Sequence, residues 1–194
     1  MKKYIFLLPL LCMLFLSEKL SAQRYLPGQK GLQITWGGVD ECFSSPKGLG
    51  GNMYLGMAVT SYNTRHSRWF FAGEYMVKHY GYKMRKIPKA QFTAEAGYYV
   101  PFLRDRGHNV FFSLGASALA GYETSNWNRT LLYDGATLRN KGCLIYGFAP
   151  GVEMEAFLND RLVFLLNLKE RIYWGSSVGH FHTVFGIGLR YIIN

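Results

Sequence analysis

Serines and histidines near the C-terminus are the residues whose types and spacing could support catalysis. This group consists of Ser176, Ser177, His180 and His182. A histidine base oriented by a carboxylate, such as Glu170 or Glu153, could activate a serine for acyl transfer. However, serine and glycine in such a stretch also make turns, and His180 and His182, two residues apart, would share one strand face as polar groups. An enzyme that acts on lipid is therefore an alternative hypothesis and not the preferred one.

The cysteines and the remaining histidines give no recognisable metal site. Cys42 and Cys143 fall in separate predicted loops, and their spacing does not match a zinc signature. A disulfide and two separate thiols both remain open for this pair. His66, His79 and His108 lie at predicted turns or strand ends, where solvated or interfacial roles are expected. We predict no metal-binding residues.

A basic segment, Lys83-Met84-Arg85-Lys86 followed by Lys89, could attract phosphate groups. We place it in an exposed loop. Positive charge alone does not distinguish lipopolysaccharide from nucleic acid as its partner, but we favour lipopolysaccharide and do not expect direct contact with nucleic acid. Neither a Walker A loop nor a Rossmann glycine pattern is present. We therefore predict no cofactor-binding residues.

The composition restricts the fold class. The chain has 194 residues, which is enough for one domain or two small ones, and 49% hydrophobic residues exclude a disordered tail. Only 18% of the residues are charged, whereas 16% are aromatic and 22 are glycine. This combination argues against a helical soluble enzyme and favours an all-β protein with one face in an apolar phase.

The first 22 residues have the features of a cleavable secretory signal peptide. Lys2 and Lys3 precede an apolar run from Ile5 to Leu16, and the small residue Ala22 ends the segment. We predict cleavage before Gln23, which leaves residues 23–194 as a single β-barrel domain. The apolar run is too short to anchor the chain in a bilayer.

Eight segments of the mature chain have the length and alternation of membrane-crossing strands. They span residues 31–38, 51–62, 68–80, 90–102, 109–123, 143–158, 161–174 and 181–193. In the fourth segment, for example, Phe92, Ala94 and Val100 alternate with Gln91 and Glu95. A soluble sandwich would also alternate, but aromatic residues at both ends of the apolar rows favour interfacial girdles and a barrel in a membrane.

The connections between these segments alternate in length, which indicates how the barrel is oriented. The long connections are 39–50, 81–89, 124–142 and 175–180, and short turns lie at 63–67, 104–107 and 159–160. Outer-membrane barrels have short periplasmic turns and longer external loops. Both termini are then expected on the periplasmic side.

The polar rows carry charges of both signs, which predicts a filled interior. The charged residues of these rows are Arg68, Glu74, Lys78, Glu95, Glu153, Glu155, Lys169, Arg171 and Arg190. An eight-stranded barrel is just wide enough for side chains to fill it. Because unpaired buried charges are costly, we expect these residues to pair as a structural plug and not to line an open pore.

Several stretches resemble a known family. They are RYLPG at 24–28, AQFTAEAGYYVPFL at 90–103, FFSLGASALAGYETSNW at 111–127, DGATLRNK at 134–141 and ERIYWGSSVGHF at 170–181. Together they are similar to the TraO family of Bacteroides-type conjugative transposon transfer proteins. The resemblance covers essentially the whole mature chain, and its motifs are structural and not catalytic. It implies an exported, non-enzymatic component of a conjugative DNA-transfer apparatus encoded by a mobile element.

The sequence thus predicts an all-β, eight-stranded antiparallel outer-membrane-type β-barrel with no catalytic residues. The expected location is the cell outer membrane. The expected partners are outer-membrane lipid and other conjugation-apparatus proteins. The alternatives are a small barrel enzyme that acts on lipid and a surface receptor or adhesin.

Overall fold

Eight antiparallel strands close into a barrel, because the first strand pairs with the last. The structure is a computed structural model, which describes residues 26–40, 52–82, 85–129, 135–137, 142–176 and 179–193. The strands are β1 (Lys30–Val39), β2 (Met53–Tyr62), β3 (Arg68–Tyr82), β4 (Arg85–Arg104), β5 (Val110–Ser125), β6 (Cys143–Phe157), β7 (Leu162–Trp174) and β8 (Phe181–Ile193). The predicted fold class is confirmed. The predicted signal peptide, residues 1–22, lies outside the described residues.

The side chains of each strand alternate between an exposed apolar outer face and a buried inner face, as predicted. Phe92 and Val100 are exposed on β4, while Gln91 and Glu95, at the alternate positions, are buried. This period of two follows from the pleat of a β-strand. The barrel therefore has a continuous apolar outer belt and a largely polar lumen.

Exposed aromatic side chains border the apolar belt at both ends of the barrel. At the end that carries the short turns, Trp69 packs against Tyr98 with ring centroids 4.7 Å apart. At the opposite end, Trp174 stacks on Tyr146 at 6.2 Å. Aromatic side chains with this placement are typical of membrane–water interfaces. We call these two ends the short-turn end and the long-loop end.

Two apolar clusters lie inside the barrel, one toward each end. The cluster near the long-loop end contains Val39, Tyr54, Met76, Leu119, Ile145, Ala149, Tyr173 and Val184. The cluster near the short-turn end contains Tyr62, Phe111, Phe157, Val163, Leu165 and Ile192. The alternation pattern alone did not reveal them, because it assigned the inner rows to polar and small residues.

The lumen is tightly packed where Tyr54 crosses it. The hydroxyl of Tyr54 donates a hydrogen bond to Asn167 Oδ1 over 2.8 Å. It also lies against Gly186, where a Cβ atom would collide with it. Because Gly186 of β8 has no side chain, Tyr54 of β2 has the space to reach Asn167 of β7.

The connection predicted at 81–89 is not a long loop, and this prediction is wrong. Strands β3 and β4 continue until Tyr82 pairs with Arg85. Beyond Val77, β3 no longer pairs with β2. Strands β3 and β4 therefore continue together as a two-stranded ribbon past the barrel wall. The length of this ribbon depends on the pairing of β3 with β4, which the pattern of a single strand does not show. Within the described residues, no helix is long and apolar enough to cross a membrane.

We predict that replacing Leu168 with arginine prevents assembly of the barrel. Leu168 lies midway along β7 on the outer face and is 47% exposed. A charge facing the middle of the bilayer costs about 2–4 kcal/mol. Blotting of outer-membrane fractions should show little folded Leu168→Arg protein and normal amounts of the matched Leu168→Phe protein. Normal assembly of the arginine variant would contradict the assignment of the outer face.

Candidate functional site

The buried charges of the lumen are balanced. Among the described residues, five cationic and five anionic side chains are buried. The cations are Arg68, Lys89, Lys169, Arg171 and Arg190, and the carboxylates are Glu74, Glu95, Glu123, Glu153 and Glu155. All nine charged residues predicted for the inner rows do face the interior, with Lys78 at its edge. The pair formed by Lys89 and Glu123 was not predicted.

The cluster nearest the short-turn end joins two arginines to two glutamates. The Nη2 atoms of Arg68 and Arg190 lie 2.6 Å and 2.7 Å from Glu153 Oε1. Both arginines also form ion pairs with Glu155. Arg190 additionally donates to Gln33 Oε1 over 2.6 Å and 3.0 Å. Each carboxylate is thus shared by two cations, which come from β3 and β8.

A second cluster lies in the middle of the lumen. Lys169 Nζ lies 2.9 Å from Glu95 Oε1 and 3.5 Å from Glu74 Oε1. Arg171 forms an ion pair with Glu74 and approaches Glu95 Oε2 at 3.8 Å. The hydroxyl of Ser117 donates to Glu95 Oε1 over 2.5 Å. Two cations of β7 therefore meet carboxylates of β3 and β4 across the interior.

The third charged group contains Ser176, one of the candidate nucleophiles. Its hydroxyl donates to Glu123 Oε2 over 2.8 Å and accepts from Lys89 Nζ over 3.3 Å. Lys89 pairs with Glu123 at 2.9 Å, so it is a lumen residue and not part of an exposed basic loop as predicted. The thiol of Cys143 lies 3.7 Å from Glu123 Oε1. Lys83, Met84, Ser177 and Cys42 lie outside the described residues, so a disulfide and two separate thiols both stay open for Cys42 and Cys143.

Asp40 connects three strands at the long-loop end. Its Oδ2 atom accepts from Lys78 Nζ over 2.5 Å and contacts His182 Nδ1 at 2.8 Å. Its Oδ1 atom accepts from the backbone N–H of Thr183 over 2.8 Å. Burial by itself would raise the pKa of Asp40, but the hydrogen bonds from His182 and Lys78 outweigh burial and hold the pKa below 3.8. The carboxylate is therefore ionised at neutral pH and secures the end of β1.

Among the described candidates, Ser176, His180 and His182 do not come together as a catalytic group. His182 faces Asp40, and His180 contacts the carbonyl oxygen of Tyr173 at 3.0 Å. Neither histidine hydrogen-bonds to Ser176 within the described part of the chain. Glu153 belongs to the arginine cluster, and Glu170 lies on the outer row, where it accepts from Thr183 Oγ1 over 2.5 Å. Closeness in sequence failed here because Ser176 and His180 lie in the connection between β7 and β8, where Ser176 contacts Glu123 and His180 contacts the backbone of Tyr173.

The other histidines lie at the predicted turns or at the edge of the barrel. His66 and His108 stack on Phe111 at the short-turn end, with ring centroids 5.9 Å and 6.4 Å from the phenyl ring. His79 lies in the β3–β4 ribbon, where its backbone N–H donates to Asn52 Oδ1. Across the described ranges, no three side chains of His, Cys, Asp or Glu are grouped to hold a metal ion.

Solved structures with the same architecture are outer-membrane barrels. The attachment invasion locus protein Ail of Yersinia pestis is 10% identical, with a TM-score of 0.54 over 87% of this chain and 100% of that one. Neisserial surface protein A is 13% identical, with a TM-score of 0.55 over 84% and 95%. These likenesses establish an outer-membrane-type barrel fold.

A family comparison covers nearly all of the described barrel. The family described as conjugative transposon protein TraO matches residues 26–193. The match extends from the residues before β1 to the last residue of β8. A search among curated proteins gave no match.

We predict that Arg190→Met destabilises the barrel by about 3–5 kcal/mol, because it leaves the buried carboxylates of Glu153 and Glu155 to share the single positive charge of Arg68. Unfolding in urea, followed by tryptophan fluorescence, measures this change. The double variant Arg190→Met/Glu155→Gln restores the charge balance of the lumen and should recover part of the loss. Equal stability of the single variant and the wild type would show that the cluster does not support the fold.

Proposed function

The chain belongs to the TraO family of conjugative transposon proteins, and from this premise we propose that it is a non-enzymatic outer-membrane component of a conjugative DNA-transfer apparatus. The observation that carries the proposal is the lumen, in which five buried cations pair with five buried carboxylates among the described residues. A lumen of this kind leaves the ends and the outer wall as the surfaces available for function.

The proposed location is the outer membrane. The exposed apolar belt with its aromatic borders suits lipid contact. Cleavage of the signal peptide before Gln23 would release the chain into the periplasm for insertion. In the proposed orientation the short-turn end, with the turns after β2, β4 and β6, faces the periplasm.

A structural role is favoured over an enzymatic one by the contacts of the candidate nucleophile. Ser176 donates its hydroxyl hydrogen to Glu123, and Glu123 is already paired with Lys89. A carboxylate neutralised by a lysine is a poor general base. The two nearby histidines have other partners. We propose that these residues stabilise the long-loop end.

The proposed partners are outer-membrane lipid and other proteins of the conjugation apparatus. Ion pairs that connect opposite walls of the barrel oppose the passage of a DNA strand through the lumen. We therefore propose that the protein contributes a docking or anchoring surface to the apparatus and does not contact nucleic acid directly.

The orientation predicts which arginine and lysine bonds trypsin cleaves on intact cells. We expect cleavage at Lys47 and Arg139, in the connections after β1 and β5, and protection of Arg161 in the turn after β6. Arg161 is exposed on the barrel, so it should become accessible once the outer membrane is permeabilised. Mass spectrometry of the fragments identifies the sites. Cleavage at Arg161 on intact cells would invert the orientation.

The functional proposal predicts that deletion of the gene lowers mating transfer of the element without slowing donor growth. A mating assay measures the transfer frequency. Alanine variants at Ser176, His180 and His182 should retain near-normal transfer if blots show normal amounts in the outer membrane. Undiminished transfer in the deletion strain would contradict the conjugation role. Loss of transfer in a normally assembled His180→Ala strain would favour an enzyme instead.

A further inference from the structure

Strand β4 extends past its neighbour at the short-turn end of the barrel. The pairing of β3 with β4 begins at Arg68, which lies opposite Tyr99. Residues 100–104 continue beyond this point and pair only with β5. This overhang therefore has one edge that faces the turn at 63–67 and not a strand.

A β-bulge changes the direction of the side chains on the overhang. The register shifts between Pro101 and Leu103, which places Phe102 as an extra residue on β4. Phe102 and Leu103 are consequently both exposed, by 64% and 57%. Two adjacent exposed apolar residues form a shelf at the edge of the apolar belt.

A cavity of about 170 Å³ lies between this overhang and the turn. Arg65 and His66 line it from the turn, residues 101–104 line it from β4, and Phe111 of β5 closes its inner wall. His66 stacks on Phe111, which holds the turn over the mouth of the barrel. We call this cavity the rim pocket.

The arginines of the rim pocket differ from those of the lumen. Every buried lumen cation forms an ion pair with a glutamate. Arg65 and Arg104 are exposed, and neither forms an ion pair with a carboxylate of the described residues. The adjacent carboxylate, Asp105, accepts a hydrogen bond from the backbone N–H of Gly107. The rim pocket thus presents positive charge that the protein itself does not neutralise.

The pKa of His66 is lowered by burial and by the positive charge around the same pocket. Partial burial lowers its pKa, and the positive charges of Arg104 and His108 lower it further. An anion bound between the arginines would offset these charges. The pKa of His66 should therefore rise when the pocket is occupied.

We propose that the rim pocket binds the phosphate of a phospholipid headgroup, with Arg65 and Arg104 as phosphate ligands and the Phe102–Leu103 shelf against the acyl chains. A pocket with basic and apolar walls at the border of the apolar belt matches a phospholipid, which is charged at one end and apolar at the other. In the orientation proposed above, on which this inference rests, the lipid belongs to the periplasmic leaflet.

A peptide that adds as a strand to the exposed edge of β4 is the competing occupant. Pro101 lies in the middle of the overhang and has no N–H to offer such a strand. The overhang is also short, since it spans only residues 100–104. Both features disfavour strand addition and leave the phosphate of a lipid as the better match.

Binding to the purified mature chain in a neutral detergent tests this proposal. The probes are dihexanoyl phosphatidylglycerol, inorganic phosphate and dihexanoylglycerol, which has the acyl chains without the phosphate. Isothermal titration calorimetry should show that the phospholipid binds more tightly than either part alone. Arg65→Gln and Arg104→Gln should each weaken its binding roughly tenfold or more, as expected for hydrogen bonds to a charged group.

Arg161→Gln is the matched control, because it removes an exposed arginine from another turn of the same rim and should leave binding unchanged. The His66 imidazole signal, assigned in NMR spectra by its loss in His66→Gln, should titrate at higher pH with the lipid bound. Wild-type affinity in the Arg65→Gln/Arg104→Gln double variant would overturn the site.

Two further outcomes would overturn the choice of ligand. Inorganic phosphate that binds as tightly as the phospholipid would show a simple anion site. A glutamate-rich peptide that binds where the phospholipid does not would show a protein-docking site. Because these measurements use purified protein, they do not depend on the result of the mating assay.

Discussion

Charge neutrality inside the barrel is the constraint on which the rest of the structure depends. Eight strands enclose only enough space for side chains, and a buried ion without a partner costs several kcal/mol. Each lumen cation must therefore meet a carboxylate, usually from a strand that is not its neighbour. Arg68 of β3 reaches Glu153 of β6, and Lys169 of β7 reaches Glu95 of β4. These ion pairs connect opposite walls, whereas the backbone ladders connect adjacent strands.

The same constraint determines where excess charge can lie. The full sequence has a formal net charge of +10, yet the buried charges of the described residues balance. The exposed cations of the described residues include Arg65 and Arg161 in turns and Arg104 at the end of β4. A protein with a neutral, filled interior and basic ends interacts with its surroundings through those ends.

The sequence predicted the parts of the fold that depend on local alternation. The inner and outer faces and the charged inner rows follow from a period of two, so they were predicted, as were the strand limits except at the connection between β3 and β4. Pairing across the lumen depends on the register of all eight strands, which no single strand reveals, and this is why the Lys89–Glu123 pair was missed. The same limit explains why Ser176, His180 and His182 suggested a catalytic group that the folded chain separates. The role of Asp40 also required the closed barrel, because its partners come from β3 and β8.

An arginine's role in this fold depends on whether a carboxylate lies within its reach. Arg68 and Arg104 are the first residue of β3 and the last residue of β4, both at the short-turn end. Arg68 points into the lumen, where two glutamates neutralise it, so it stabilises the plug. Arg104 follows the bulge in β4 and lies outside that network, so its charge is available to a ligand. Barrels only 10% to 13% identical to this chain share its fold, so very different sequences can build the same wall. In our proposal, the specific function of this protein comes from groups such as Arg104, which the wall positions but does not use.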